Sequence, residues 1–299
     1  LYPVCATVER SLRFYIMVSS GVPNIPDYMA MADIEEVIIG YYDSSLETAE
    51  PRQDWVRQFL KEEAQLWAAM DKDCREYQQL LKPQSDRFRQ HLNQTGGVHI
   101  TQQIAGCGWD DETEKVNGYN LFGYNGENFL TFDLETEIWI AEIPQAETDK
   151  HEQDGNKVSN DFWKTFLTIH CVSWLKLFLN YGKSFLLRTD LPSVSLLQKS
   201  PSSPVSCHAT GFYPNRAVMF WRKDGEEIHE DVDLGQILPN HDGSFQMSVD
   251  LNVSSVTPED WRRYDCVFHL SGVKDDIVTK LDKALIRTNW AKMAFTKDK

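Results

Sequence analysis

At 299 residues the chain exceeds one typical domain, and its 12% aromatic and 25% charged content is that of an ordinary globular protein. A formal net charge of −15 argues against a nucleic-acid binder or an anionic-membrane binder, because such faces need clustered Lys and Arg. No run of 18 apolar residues is present, so none of these residues is expected to span a bilayer.

Alternating stretches predict strands at Ser11 to Ser19, Tyr28 to Asp33 and Glu36 to Asp43. A long helical pattern follows, from about Asp54 to Leu92. Within it Met70, Cys74, Tyr77 and Leu81 recur at helical spacing and share one face. Pro83 falls inside this helix, where it removes a backbone hydrogen bond and predicts a kink near Lys82, costing about 3 kcal/mol if unrelieved. Such a kink would bring the helix closer to its neighbour at that end.

Gly96-Gly97 breaks the helix, and strands resume at Val98 to Cys107, Val116 to Tyr124, Asn128 to Asp133 and Glu137 to Ala141. A second helical region is expected from about Pro144 to Tyr181. There Phe162, Phe166, His170, Trp174 and Phe178 fall at successive steps of four with Trp163 beside them, an aromatic stripe. The chain thus repeats one plan, strands then helix. That pattern predicts an α+β platform, an antiparallel sheet with two long helices on one face. On its floor, alternation aims Leu12, Phe14, Ile16 and Phe122 at the helices, with Ala105 as a small residue among them.

After Arg188 come short strands punctuated by Pro201, Pro204, Pro214, Pro239 and Asp242-Gly243, the pattern of a β-sandwich. Cys207 precedes Trp221 by 14 residues and Cys266 by 59, and Tyr264 stands two before Cys266. These spacings point to an immunoglobulin domain with its inter-sheet disulfide, packing tryptophan and tyrosine corner. The other cysteines are Cys5, Cys74, Cys107 and Cys171, and no Cys-x-x-Cys or zinc-ligand spacing occurs. Disulfides are the better reading. Sequons at Asn93 and Asn252 are consistent with a secretory route and N-glycosylation.

Gly211-Phe212-Tyr213-Pro214, Asp242-Gly243-Ser244-Phe245-Gln246 and Tyr264-Asp265-Cys266 resemble the constant domain of major histocompatibility complex (MHC) proteins. Upstream, Asn93-Gln94-Thr95-Gly96-Gly97-Val98-His99 and Gly106-Cys107-Gly108-Trp109-Asp110-Asp111-Glu112-Thr113 resemble class I groove domains, with a flavour of bony-fish members. The resemblance spans about Ser11 to Trp290. It implies groove domains at 8–97 and 98–189, an immunoglobulin C1-type sandwich at 190–288 and a connecting segment at 289–299. It also implies that Cys107 pairs with Cys171 and Cys207 with Cys266. Cys5 and Cys74 are left free, joined to each other or linked to another chain.

The resemblance further implies an extracellular ectodomain at the cell surface, with a membrane anchor beyond residue 299. Its expected partners are β2-microglobulin, met through Tyr15, Gln102, Pro239 and Gln246, and a lymphocyte receptor. Asn128 and Ser248 depart from the family pattern at the first of these contacts.

Peptide-presenting relatives hold peptide ends with tyrosines and a Thr, Lys and Trp, because a buried amine or carboxylate needs hydrogen-bond partners. Here those positions are Phe14, Leu66, Phe166 and Phe178 at one end. At the other they are His91, Asp149, Glu152 and Gln153. The changes delete hydroxyls and place carboxylates where a carboxylate would have to be held. Three readings of the cleft follow: a core closed by Phe162, Trp163 and Phe166 against Tyr77 and Leu81, an apolar pocket for a lipid-like ligand, or peptide display. No phosphate loop, nucleophile elbow, cofactor motif or metal-ligand pattern is evident, so neither an enzyme nor a resident metal is expected.

Overall fold

The computed structural model describes residues 9–94, 96–110, 112–257 and 259–289. They form two compact units that divide after Leu186. The first is built on one eight-stranded antiparallel sheet. Its first half supplies β1 (Glu9–Ser20), β2 (Tyr28–Ile34), β3 (Val37–Asp43) and β4 (Glu50–Pro51). The second supplies β5 (His99–Asp110), β6 (Val116–Tyr124), β7 (Glu127–Asp133) and β8 (Ile138–Ala141). The strand order is β4-β3-β2-β1-β5-β6-β7-β8. The halves join where β1 pairs with β5, with Leu12 opposite Cys107 and Phe14 opposite Ala105. Residues 9–97 and 98–186 therefore share one sheet and make a single unit.

The helices lie on one face of this sheet, as the α+β pattern requires, but they are more segmented than the periodicity predicts. The first region is α1 (Asp54–Glu62) and α2 (Ala64–His91), separated at Glu63, whose φ of −116° and ψ of 41° leave the helical range. The expected kink near Lys82 does not interrupt α2, which runs through the exposed Pro83 as one element. The second region opens with a 3-10 turn (Pro144–Ala146), followed by α3 (Glu147–Gly155) and α4 (Lys157–Thr165). A π turn (Phe166–His170), α5 (Cys171–Tyr181) and α6 (Lys183–Leu186) complete it. Asn156 breaks the α3–α4 run and caps α4 by accepting from the Ser159 N–H at 3.2 Å.

Two apolar clusters fill the space between sheet and helices. One gathers Leu81, Phe88, Phe122, Phe129, Trp139 and Leu167. The other surrounds the Cys107–Cys171 disulfide with Leu12, Phe59, Leu175 and Phe178. Phe166 packs against both.

The second unit is a sandwich of two antiparallel sheets. One contains β9 (Ser193–Leu197), β10 (Val205–Phe212), β13 (Val232–Leu234), β14 (Leu238–Pro239) and β15 (Phe245–Leu251). The other contains β11 (Ala217–Lys223), β12 (Glu226–Ile228), β16 (Tyr264–Leu270) and β17 (Ile277–Lys280). Cys207 is bonded to Cys266, and Trp221, paired in register with Cys266, is fully buried and donates its indole N–H to the Val249 carbonyl at 3.0 Å. Arg188 stacks on the Tyr213 ring at 3.9 Å, and Asp190 bridges to Tyr213. Those contacts tie Arg188 and Asp190 to the sandwich. The segment 290–299 and Cys5 lie outside the described residues.

Candidate functional site

The cleft between the helices is built from the floor upward. Because successive strand residues alternate faces, one ladder across the sheet presents Ala32, Phe14, Ala105 and Asn120 to the helices, and the next presents Ala30, Ile16, Gln103 and Phe122. Ala105 and Phe122 are buried, while Phe14 and Ile16 are half-buried. From the first helix Leu66 and Met70 pack into the cluster around the Cys107–Cys171 disulfide, and Cys74, Tyr77 and Leu81 into the other.

Aromatic side chains from both helical regions meet at the middle of the cleft. The Tyr77 and Trp163 rings lie 5.9 Å apart at 85°, the edge-to-face geometry favoured by opposed ring quadrupoles. Beneath them Tyr77 donates its hydroxyl to Gln103 Oε1 at 2.6 Å, and Gln103 donates to Asn120 Oδ1 at 2.8 Å. Burial holds the Tyr77 phenol well above its usual titration range, so it remains a donor. Alongside, Phe166 stands 5.7 Å from Phe14, 5.6 Å from Trp174 and 5.8 Å from Phe162. One helix touches the other through rings, and both touch the floor.

Side chains of the two helical regions also pair at each end of the cleft. At one, Phe59 packs on Phe178 at 5.0 Å and on Tyr181 at 5.1 Å, and Tyr181 donates to Glu63 Oε1 at 3.2 Å. Gly182 permits this approach, since a Cβ there would lie 3.1 Å from the Trp55 ring. At the other end His91 Nδ1 lies 2.8 Å from Asp149 Oδ1, and Arg87 lies 3.8 Å from Glu152. Lys150, the cation nearest in sequence, is instead bonded to Asp154 at 2.8 Å.

The aromatic stripe needs one correction. His170 is exposed and belongs to neither apolar cluster. At about 100° per residue a step of four overshoots a full turn, so such a series winds off one face. The wider π turn at Phe166–His170 shifts the phase again. Phe162 is 54% exposed for the same reason, whereas Trp163 is 7% exposed and points into the cleft. Spacing alone missed Trp55, Phe59 and Tyr181 at one end, although Trp55 and Phe59 stand four apart. Gln103 and Asn120 were invisible without the strand register.

Cys74 has no disulfide partner among the described residues. Its carbonyl accepts from the Tyr28 hydroxyl at 3.3 Å, and burial pushes its thiol up to about 11. Asn93 and Asn252 are both exposed; Thr95 of the first sequon lies outside the described residues.

The opposite face of the sheet carries a second feature. Met31, Tyr15, Ile104, Leu121, Thr131 and Ile140 are paired in register across six strands. Ile104 and Ile140 are 40% and 45% exposed and Gln102 is exposed beside them. Burial and the neighbouring Asp33 push the Tyr15 phenol up to about 12. In the sandwich Pro239 is exposed, while Gln246 is held by Asn240 at 2.7 Å and His208 at 3.0 Å.

Two helices over an eight-stranded sheet, tied by a helix-to-sheet disulfide and followed by a C1-like sandwich, define a known architecture. Residues 9–186 match the family model of "Class I Histocompatibility antigen, domains alpha 1 and 2", and residues 191–272 match that of the "Immunoglobulin C1-set domain". The chain belongs to the MHC class I family. It is 30% identical to the rat "Major histocompatibility complex class I-related protein 1" over 257 residues, covering 85% of this chain and 74% of that protein. The mouse protein of the same name is 30% identical over 264 residues, covering 87% and 75%. The chicken "Class I histocompatibility antigen, F10 alpha chain" is 29% identical over 274 residues, covering 89% and 77%. As a class I-like chain it is an immune recognition protein, and members of the family typically pair with β2-microglobulin.

Proposed function

We propose that this class I-like protein is a non-classical cell-surface ligand, read by a lymphocyte receptor through the top of a platform whose cleft is closed by its own side chains. The observation that carries the reading is the Tyr77–Trp163 contact, which joins the two helices above the Gln103–Asn120 floor. Phe14, Leu66, Phe166 and Phe178 offer no hydroxyl to a peptide amine, and Asp149 with Glu152 would repel a peptide carboxylate. Pairing with β2-microglobulin is supported by the half-exposed apolar row through Tyr15 and Ile104, which the first unit leaves uncovered. On the sandwich the partner contacts are Pro239 and Gln246. Glycans on the exposed Asn93 and Asn252 would fit a cell-surface protein.

A second reading rests on a different observation. Phe162, Phe166, Trp174, Leu66 and Met70 keep part of their apolar surface accessible, which suits a small apolar ligand or an atypical peptide seated above them. The two readings separate on refolding of the chain with β2-microglobulin, with and without peptide mixtures or lipid extract. A ligand that binds only the folded state raises its stability by mass action. The closed-cleft reading predicts a folded complex with a Tm indifferent to either addition. A complex that forms or gains stability only with one of them would overturn it and name the ligand class.

A further inference from the structure

The end of the cleft where α2 meets α3 holds a cluster that sequence spacing concealed, because its members are 58 residues apart. His91 is the last residue of α2, and Asp149 and Glu152 are three apart on α3, so both carboxylates share a face towards it. One ligating atom from each of the three lies within 4.8 Å of the others. His91 Nδ1 is 2.8 Å from Asp149 Oδ1, and its Nε2 is 3.9 Å from Glu152 Oε1.

A second observation is independent of that grouping. Asp149 is 2% exposed, and the other oxygen of its carboxylate, Oδ2, is buried with no hydrogen-bond partner. A buried carboxylate oxygen left unpaired is costly, and native proteins rarely tolerate one without an ion or water. Among the described residues Arg87 is the cation paired with this cluster; it reaches Glu152 at 3.8 Å and leaves Asp149 to His91.

We infer that His91, Asp149 and Glu152 form a zinc site that fastens α2 to α3 at this end of the cleft. One imidazole nitrogen and two carboxylates are the mixed N/O donor set that suits a transition metal. Calcium prefers six or more oxygens. Zinc bonds of about 2.0–2.1 Å place tetrahedral ligands ~3.3 Å apart, so the His91–Asp149 pair has to open by about 0.5 Å, and the half-exposed Glu152 carboxylate has to close from within 4.8 Å onto the same imidazole nitrogen. Two carboxylates and one neutral imidazole also balance a divalent charge. Three protein ligands leave the fourth position to water, and Glu152, half-exposed, lies at the solvent side.

The test is calorimetric titration of zinc chloride into the metal-stripped full chain in complex with β2-microglobulin, with calcium chloride as comparison. The expected result is one zinc per chain, a higher Tm with zinc, and at least tenfold weaker binding in both Glu152→Gln and His91→Gln. Because Glu152 is half-exposed, E152Q leaves the fold intact and reads the site even if H91Q destabilises the helix end. Absence of a stoichiometric zinc site in the wild type would overturn the inference. So would variants that bind zinc as the wild type does, since the metal would then sit elsewhere. Tighter binding of calcium than of zinc would also refute it.

Discussion

Single side chains decide what the cleft is. Tyr77 is the residue that joins helix, facing helix and floor, and its hydroxyl satisfies Gln103 at 2.6 Å. Tyr77→Phe keeps the ring contact but leaves a buried amide oxygen unpaired, so a loss of about 1–3 kcal/mol is expected in urea denaturation. No change in the midpoint would mean that the hydroxyl bond does not form. Asp43 offers a check of another kind. The Ser45 hydroxyl and N–H, with the Tyr41 hydroxyl, hold its carboxyl below the usual aspartate range. Because the folded value is depressed, this stabilisation is complete above the unfolded value near ~3.9 and is lost as pH falls through the folded one. Asp43→Asn is therefore expected to flatten the acid side of the stability profile and leave its shape above about pH 5 unchanged. A profile identical to the wild type would contradict the assignment.

Segmentation is the main lesson for the elements. Strand positions were legible because period-two alternation is short-ranged: β6 runs from Val116 to Tyr124, the bounds that alternation predicts. The break at Glu63 was not, because no Gly or Pro stands there, and at Asn156 the Asp154-Gly155-Asn156 turn residues sit inside a longer helical pattern that masks them. Pro83 did carry a signal, and the helix continues through it. The π turn is likewise a tertiary effect. Leu167 presses on the strand so closely that a Cβ at Gly118 would lie 2.8 Å from the Leu167 Cβ. Gly118→Ala is expected to cost about 1–3 kcal/mol through overpacking, and Leu134→Ala, which removes the Cδ2 that would stand 3.0 Å from the new Cβ, to recover part of that penalty in a double-mutant cycle. Strict additivity would show that the two positions do not touch.

For the whole molecule, the strand-then-helix repeat and the Cys-Trp-Cys spacing made the architecture legible. The side chains that meet in the cleft needed the tertiary structure. The stripe from Phe162 to Phe178 was visible, but the exposure of His170 and the contacts of Phe59 with Phe178 and Tyr181 depend on helix phase and on distant segments meeting. The two-unit division has its own consequence. Among the described residues each unit has its own core and one disulfide, so differential scanning calorimetry is expected to resolve two transitions. Replacing Cys107 and Cys171 by Ala removes a cross-link closing 64 residues, worth about 4 kcal/mol, and should lower only the platform transition. A single transition that moves as one would contradict independent units.

The closed cleft is the central claim, and native mass spectrometry of the glycosylated complex with β2-microglobulin, before and after denaturing extraction, tests it most directly. The account predicts a folded, monodisperse complex whose mass is that of its two polypeptides, their glycans and any stoichiometric metal. A reproducible additional organic mass, released on denaturation as lipid or peptide, would show that the cleft opens to hold a ligand.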